Sequence, residues 1–228
     1  MIGLLGCFKI IVPAGILTAL IACGSSDSQP LTQVFGAVAT QLTSDGTAAR
    51  DARAQLTPEI VAGVTEPFLL VDVPARQASA TFAVFARSQN RTDWRGADGI
   101  SIVVADDFVV ATRGLGADLF LADPGGLRAA LSSGSGRSVR RHTRLDGENR
   151  EVKFIYNCLV QTDGFETIDQ IDRKIVSKKI TEICESDLRT ETDFSNSYWI
   201  GAVDGLVWQS EQWVSPDVGH LKLTNLRR

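Results

Sequence analysis

From Pro67 onward the chain breaks into short apolar or alternating runs, each closed by Gly, Asp or Asn, a punctuation that favours antiparallel β-structure. PFLLVDV, SATFAVFARS, TDWRGAD, ISIVVAD and FVVATR follow one another closely. The Gly-rich excursion GLGADLFLADPGGLRAALSSGSGR interrupts them, with a short helix predicted over Leu127 to Leu131. Strands resume with VRRHTRL, then KFIYNCLV, FETIDQIDR and KIVSKKITEIC, then SNSYWIGAV, LVWQSEQWV and HLKLTNL. Asp146-Gly147, Asp163-Gly164 and Asp204-Gly205 read as hairpin turns between them. An open sheet of about a dozen strands leaves its edges unprotected. The expectation is therefore a mainly β fold, an antiparallel meander curled into a barrel or folded into a sandwich. Lys and Arg on both faces of many strands leave no continuous lipid-facing band, which argues against an integral outer-membrane barrel.

Before Pro67 the periodicity is helical. LTQVFGAVATQL places Leu31, Val34, Phe35, Val38 and Leu42 at spacings of three and four. LTPEIVAGV offers Thr57 as an N-cap and Pro58 at the first helical position. Two short N-terminal helices are expected here, joined by the polar segment Ser44 to Ala54.

Further upstream, Lys9 precedes a nearly unbroken apolar run from Ile10 to Ala22, too short for a spanning helix and suited to a signal-peptide core. Leu20-Ile21-Ala22-Cys23 resembles the bacterial lipobox, in which the cysteine thiol is diacylated and becomes the mature N-terminus. On that reading residues 1–22 are a lipoprotein signal peptide, 23–30 a lipidated polar tether, and 31–228 a single periplasmic β-rich domain. The lipid on Cys23 would be the partner-side contact with the membrane. Gly24, where an aspartate would favour inner-membrane retention, points to the outer membrane, periplasmic face. The alternatives are an ordinary cleaved signal or an uncleaved anchor helix.

The charge balance, 23 Lys and Arg against 27 Asp and Glu, argues against nucleic acid, which needs clustered cations. Cys158 and Cys184 are the cysteines left in the mature chain, and a pair in an oxidising compartment invites a disulfide. If KFIYNCLV, FETIDQIDR and KIVSKKITEIC are three successive strands, the first and third lie about 9.6 Å apart. A disulfide needs Cα atoms within about 7 Å, so a bridge requires sharp curvature or a Cys184 lying beyond its strand. The other reading is two buried, inert thiols.

LIACGSS, DWRGADGISIVVADDFVVATRGLGADL, RRHTRLDGENR and SYWIGAVDGLVWQSEQWVSPDVGHLKL, in that order, resemble the YjbF/GfcB family of lipoproteins. VWQSEQWVSP is the most specific part. The resemblance covers most of residues 60 to 228. It implies a periplasmic, outer-membrane-tethered β-rich protein associated with export of capsular and other extracellular polysaccharides, and it supplies no catalytic residue.

The residues themselves supply little catalytic chemistry. His142 and His220 are the two histidines, neither with a metal partner at ligand spacing, and GxSxG, HExxH and P-loop motifs are absent. No cofactor is expected. His142 lies in the run Arg140, Arg141, His142, Arg144, which reads either as a solvated strand face or as a basic patch for an anionic sugar. Asp204 and Glu211 could be paired glycosidase carboxylates, yet Asp204 is already explained by its Asp-Gly turn. Trp199, Trp208 and Trp213 crowd the C-terminal strands, with Gln212 among their polar neighbours. They read as core packing or as a stacking platform for sugar rings. A hairpin centred on Asp204-Gly205 would set Trp208 opposite Gly201 and Trp199 opposite Ser210. The two-glycine turn from Arg113 to Asp118 reads as a loop closing one barrel end or as a protein contact.

Three classes of function follow. The first is a non-enzymatic accessory lipoprotein that binds polysaccharide or a neighbouring export protein. The second is a polysaccharide-modifying enzyme, which needs converging carboxylates of perturbed pKa. The third is a carrier of lipid or another apolar ligand, which needs an open apolar cavity.

Overall fold

The computed structural model describes residues 51–189 and 191–228. The expected signal peptide, Cys23, the expected tether and the first expected helix lie outside them. The described chain opens with α1 (Ala52–Gln55) and α2 (Pro58–Gly63). Thr57 Oγ1 accepts from Ile60 N at 3.3 Å, and Pro58 sits in the first turn, where no amide donor is needed.

A 12-stranded antiparallel sheet follows. Its first five strands are β1 (Phe68–Val73), β2 (Ala78–Ser88), β3 (Arg91–Gly96), β4 (Ser101–Ala105) and β5 (Phe108–Arg113). After β6 (Leu121–Asp123) and the helix α3 (Leu127–Ser133) come β7 (Ser135–Leu145), β8 (Glu151–Gln170) and β9 (Arg173–Ser186). The last three are β10 (Phe194–Gly201), β11 (Val207–Ser215) and β12 (Gly219–Arg227). The order is β5-β4-β3-β2-β1-β12-β11-β10-β9-β8-β7-β6, so every neighbour is next in sequence except the pair β1 and β12. That pair leaves β5 and β6 as the edges, and the chain between them brings the edges together. Thr112 N donates to Leu119 O at 2.9 Å, and Phe120 N donates to Thr143 O at 3.0 Å. The result is a nearly closed barrel, which resolves the choice between barrel and sandwich.

The barrel is filled. β5 separates two apolar clusters, with Val109 facing Leu69, Phe82, Ile102 and Leu221, and Phe108 and Val110 facing Leu131, Val160, Ile180 and Tyr198. An unbroken FVV is what a strand covered on both faces requires. Its edge is satisfied from the opposite wall, where Gln212 Oε1 accepts from Val109 N and Gln212 Nε2 donates to Asp107 O, both at 2.9 Å. The loop from Arg113 to Asp118 closes an end as expected: Leu115 joins the core, and the Asp118 carboxylate accepts from Gly114 N, Leu115 N and Thr112 Oγ1.

One part of the strand reading needs correction. KFIYNCLV and FETIDQIDR are a single strand, β8, and Asp163-Gly164 is a bulge within it, the register shifting between Thr162 and Gly164 while β9 continues alongside. The hairpin turn lies instead at Ile171-Asp172. The strand total survives because LAD, passed over in the Gly-rich excursion, forms β6.

Candidate functional site

The merging of two expected strands into β8 settles the cysteines. Cys158 and Cys184 are direct cross-strand partners on β8 and β9, with Cα atoms 4.1 Å apart, and they form a disulfide. The sharp curvature that three strands would have demanded is unnecessary. Among the described residues, the group closest to a metal-ligand arrangement is Cys158, Glu182 and Cys184. Both of its sulfurs are committed to the disulfide.

Alternation along β7 splits the basic run. Arg141 points outward and pairs with Asp123, both side chains being 57% exposed. Arg140 and His142 point inward. Arg140 Nε donates to Glu182 Oε2 at 2.8 Å, and its NH2 group donates to the Tyr198 hydroxyl at 2.6 Å. Ser138 Oγ and Asn196 Nδ2 donate to the same carboxylate. Burial works against the Arg140 charge, but Glu182 and Tyr198 outweigh it and raise the guanidinium pKa. Burial pushes the Tyr198 hydroxyl pKa up. His142 stacks on Phe194 and meets Tyr156 edge-on, and burial together with Arg140 and Arg144 lowers its pKa to about 3. It is a neutral core imidazole.

The three tryptophans share no partner among the described contacts. Trp199 is buried, its indole N–H on the Glu166 carboxylate and Lys179 over its ring. Trp208 donates to Asp204 Oδ2 at 2.9 Å and lies beneath Arg173. The Asp204 carboxyl also caps its own turn through Leu206 N, which holds its pKa below the usual carboxylate value. Trp213 stacks on Phe194 with ring centroids 5.8 Å apart and meets His220 edge-on. It fills a split in the wall. Pairing of β10 with β11 stops at Ser197, and side chains take over beyond it: Asn196 Oδ1 accepts from Trp213 N, and His220 Nε2 bonds Ser195 O at 2.7 Å. The register also differs from expectation by one residue. Trp199 lies opposite Gln209 and Tyr198 opposite Ser210, because the turn closes from Gly201 N to Leu206 O around Val203-Asp204, two places off, and the extra residue Trp208, bulged out of β11, recovers one of them. Trp208 still covers Gly201, where a Cβ would come within 3.0 Å of its ring. His142 and Gln212 are 2% and 1% exposed, so neither reaches the surface along which a sugar chain would pass.

A solvent-open polar site lies elsewhere, at the barrel end where β4 turns into β5. Asp106 and Asp107 form this two-residue turn with φ of 53° and 72°. That is the mirror-image geometry a tight hairpin needs, here without glycine. Several contacts fix it. Asp106 N donates to Asn90 O at 3.1 Å, Asn90 Nδ2 donates back to the Asp106 carboxylate, Arg128 pairs with Asp106 and Arg228 with Asp107. Two adjoining clefts flank the turn. One, of about 410 Å³, has Leu69, Trp94 and Leu223 in its walls, with Arg87, Asn90 and Asn225 supplying polar groups. The other, of about 360 Å³, lies towards Lys178 and Ser132. Sequence reasoning missed this site, because its cations come from distant strands and α3. The nearest signal was the Asp-Asp pair between two apolar runs.

Similarity to known proteins agrees with this fold. No curated protein matches the chain. A solved structure, the hypothetical lipoprotein YmcC from Escherichia coli (K12), superposes with a TM-score of 0.67 at 18% identity, covering 76% of this chain and 89% of that one. Residues 29–226 match the family model described as group 4 capsule polysaccharide lipoprotein GfcB, YjbF. Of this family the chain is a member.

Proposed function

We propose that this protein is a non-enzymatic accessory factor in export or assembly of extracellular or capsular polysaccharide, held at the periplasmic face of the outer membrane by acylated Cys23. The family match over residues 29–226 carries the reading, since its description joins a lipoprotein to capsule polysaccharide. The lipobox-like Leu20 to Cys23, followed by Gly24, supports the anchor and its membrane. The structural uses of both histidines, His142 in the core and His220 in the wall, favour a binding role over catalysis. An apolar carrier is disfavoured by an interior packed on both sides of β5.

Deletion of the gene is the test. Secreted polymer should fall while intracellular polymer synthesis continues, and re-expression of the chain should restore secretion. Loss of synthesis itself would overturn the placement in export. A Cys23→Ser variant should leave the membrane fraction and fail to incorporate labelled palmitate.

A further inference from the structure

The two clefts at the β4–β5 end share Asp106, Asp107, Arg128 and Val207. We propose that together they form a groove for an acidic oligosaccharide, a sugar chain bearing carboxylates of the uronate kind, with Arg87 and Lys178 as its direct cationic contacts. The inference names a ligand class for the polysaccharide role above and rests on that reading for its biological meaning.

Charge carries the argument first. The chain as a whole is acidic, at −4, yet the groove holds Arg87, Arg128, Arg228 and Lys178 against Asp106 and Asp107. The two aspartates are each matched by their own arginine. That leaves Arg87 in one cleft and Lys178 in the other, and neither side chain has a hydrogen bond or ion pair among the described residues. A guanidinium left free in this way is suited to a carboxylate, which it can bind through two parallel N–H groups.

The surroundings suit a sugar chain. Side-chain amides of Gln89, Asn90 and Asn225 line the larger cleft and can both donate to and accept from hydroxyl groups. Each cleft falls in the size range of small-ligand pockets, and both are open to solvent rather than enclosed as an acyl chain would require. The turn between them is fixed by Arg128, Arg228, Asn90 and Gln212 before any ligand arrives, so little ordering is needed on binding.

The test uses the full chain purified in detergent, with a hexamer of galacturonic acid as probe and its methyl ester, which carries no charge, as comparison. Calorimetry should show saturable binding of the acid, weaker at high salt, and at least tenfold weaker binding of the ester. Trp94 in the cleft wall provides a fluorescence signal. Arg87→Gln and Lys178→Gln should each weaken binding about fivefold or more with an unchanged circular dichroism spectrum, since neither side chain holds the fold. Arg141→Gln, on the outer wall, should bind like the wild type. Equal affinity for acid and ester, absence of binding to the acid, or an Arg87→Gln/Lys178→Gln double variant that binds normally would each overturn the proposal. Displacement of the hexamer by inorganic phosphate at equal charge would reduce the groove to a simple anion site and overturn it too. Failure of binding alongside a deletion that lowers secreted polymer removes the groove and leaves the export role. Binding alongside a deletion that leaves polymer unchanged does the reverse.

Discussion

Arg140 and Glu182 meet inside the barrel with Nε and Oε2 at 2.8 Å, their side chains 2% and 0% exposed. A buried pair of this kind gives modest net stability when complete, but losing one partner strands the other charge away from water. Glu182→Gln should therefore destabilise the domain by about 3–5 kcal/mol in urea unfolding. A cycle with Arg140→Met should give a coupling energy of about 2 kcal/mol. Strictly additive effects would show that Ser138, Asn196 and Tyr198, not the pair, carry the network.

His142 ties stability to pH. Its folded pKa of about 3 lies below the ordinary 6.5, so between these values the unfolded chain binds a proton that the folded one refuses. Its contribution is fully present above pH 6.5 and is lost progressively as pH falls towards 3. At pH 5 the loss relative to neutrality should be about 2 kcal/mol, in a range where most carboxylates are still ionised. His142→Leu should remove that slope between pH 7 and 5, read as urea midpoints. An identical slope in the variant would assign the acid sensitivity to other groups.

The disulfide joins the halves of the β8–β9 hairpin across a separation of 26 residues. Closing a loop of that size is worth about 3.5 kcal/mol in the chain-entropy account. Cys158→Ala/Cys184→Ala should lower the melting temperature accordingly, and dithiothreitol should have the same effect on the wild type and none on the variant.

Gln212 takes the place of a neighbouring strand for the start of β5. Gln212→Leu keeps the bulk but abandons Val109 N and Asp107 O, an expected loss of about 1–3 kcal/mol. Amide exchange at Val109 should accelerate more than at Leu70, in the middle of β1. Uniform acceleration would mean that the seam opens only with the whole barrel.

Much of the fold was legible because period-two alternation and turn residues report directly on antiparallel pairing. Asp163-Gly164 misled because the same dipeptide serves a tight turn and a bulge, and only the uninterrupted partner strand, β9, tells them apart. LAD escaped notice because three residues are too few to show alternation. The facing pairs along β10 moved because the turn centres on Val203-Asp204 and not on Asp204-Gly205, and the bulge at Trp208 gives back one of the two places lost. The basic run misled for a different reason: Arg140 and Arg141 look alike in sequence, and alternation sends one to Glu182 and the other to solvent. The groove could not be read at all. Arg87, Arg128, Lys178 and Arg228 come from the end of β2, α3, β9 and the residue after β12, and only barrel closure gathers them.

That closure runs through β1 and β12, paired from Phe68 with Arg227 to Asp72 with Lys222. A strand made early must wait for one made last, so a chain delivered end-first through a narrow channel cannot lock into shape while in transit. The pairing works as a timer: the barrel is completed only once its twelfth strand is free to lie beside its first.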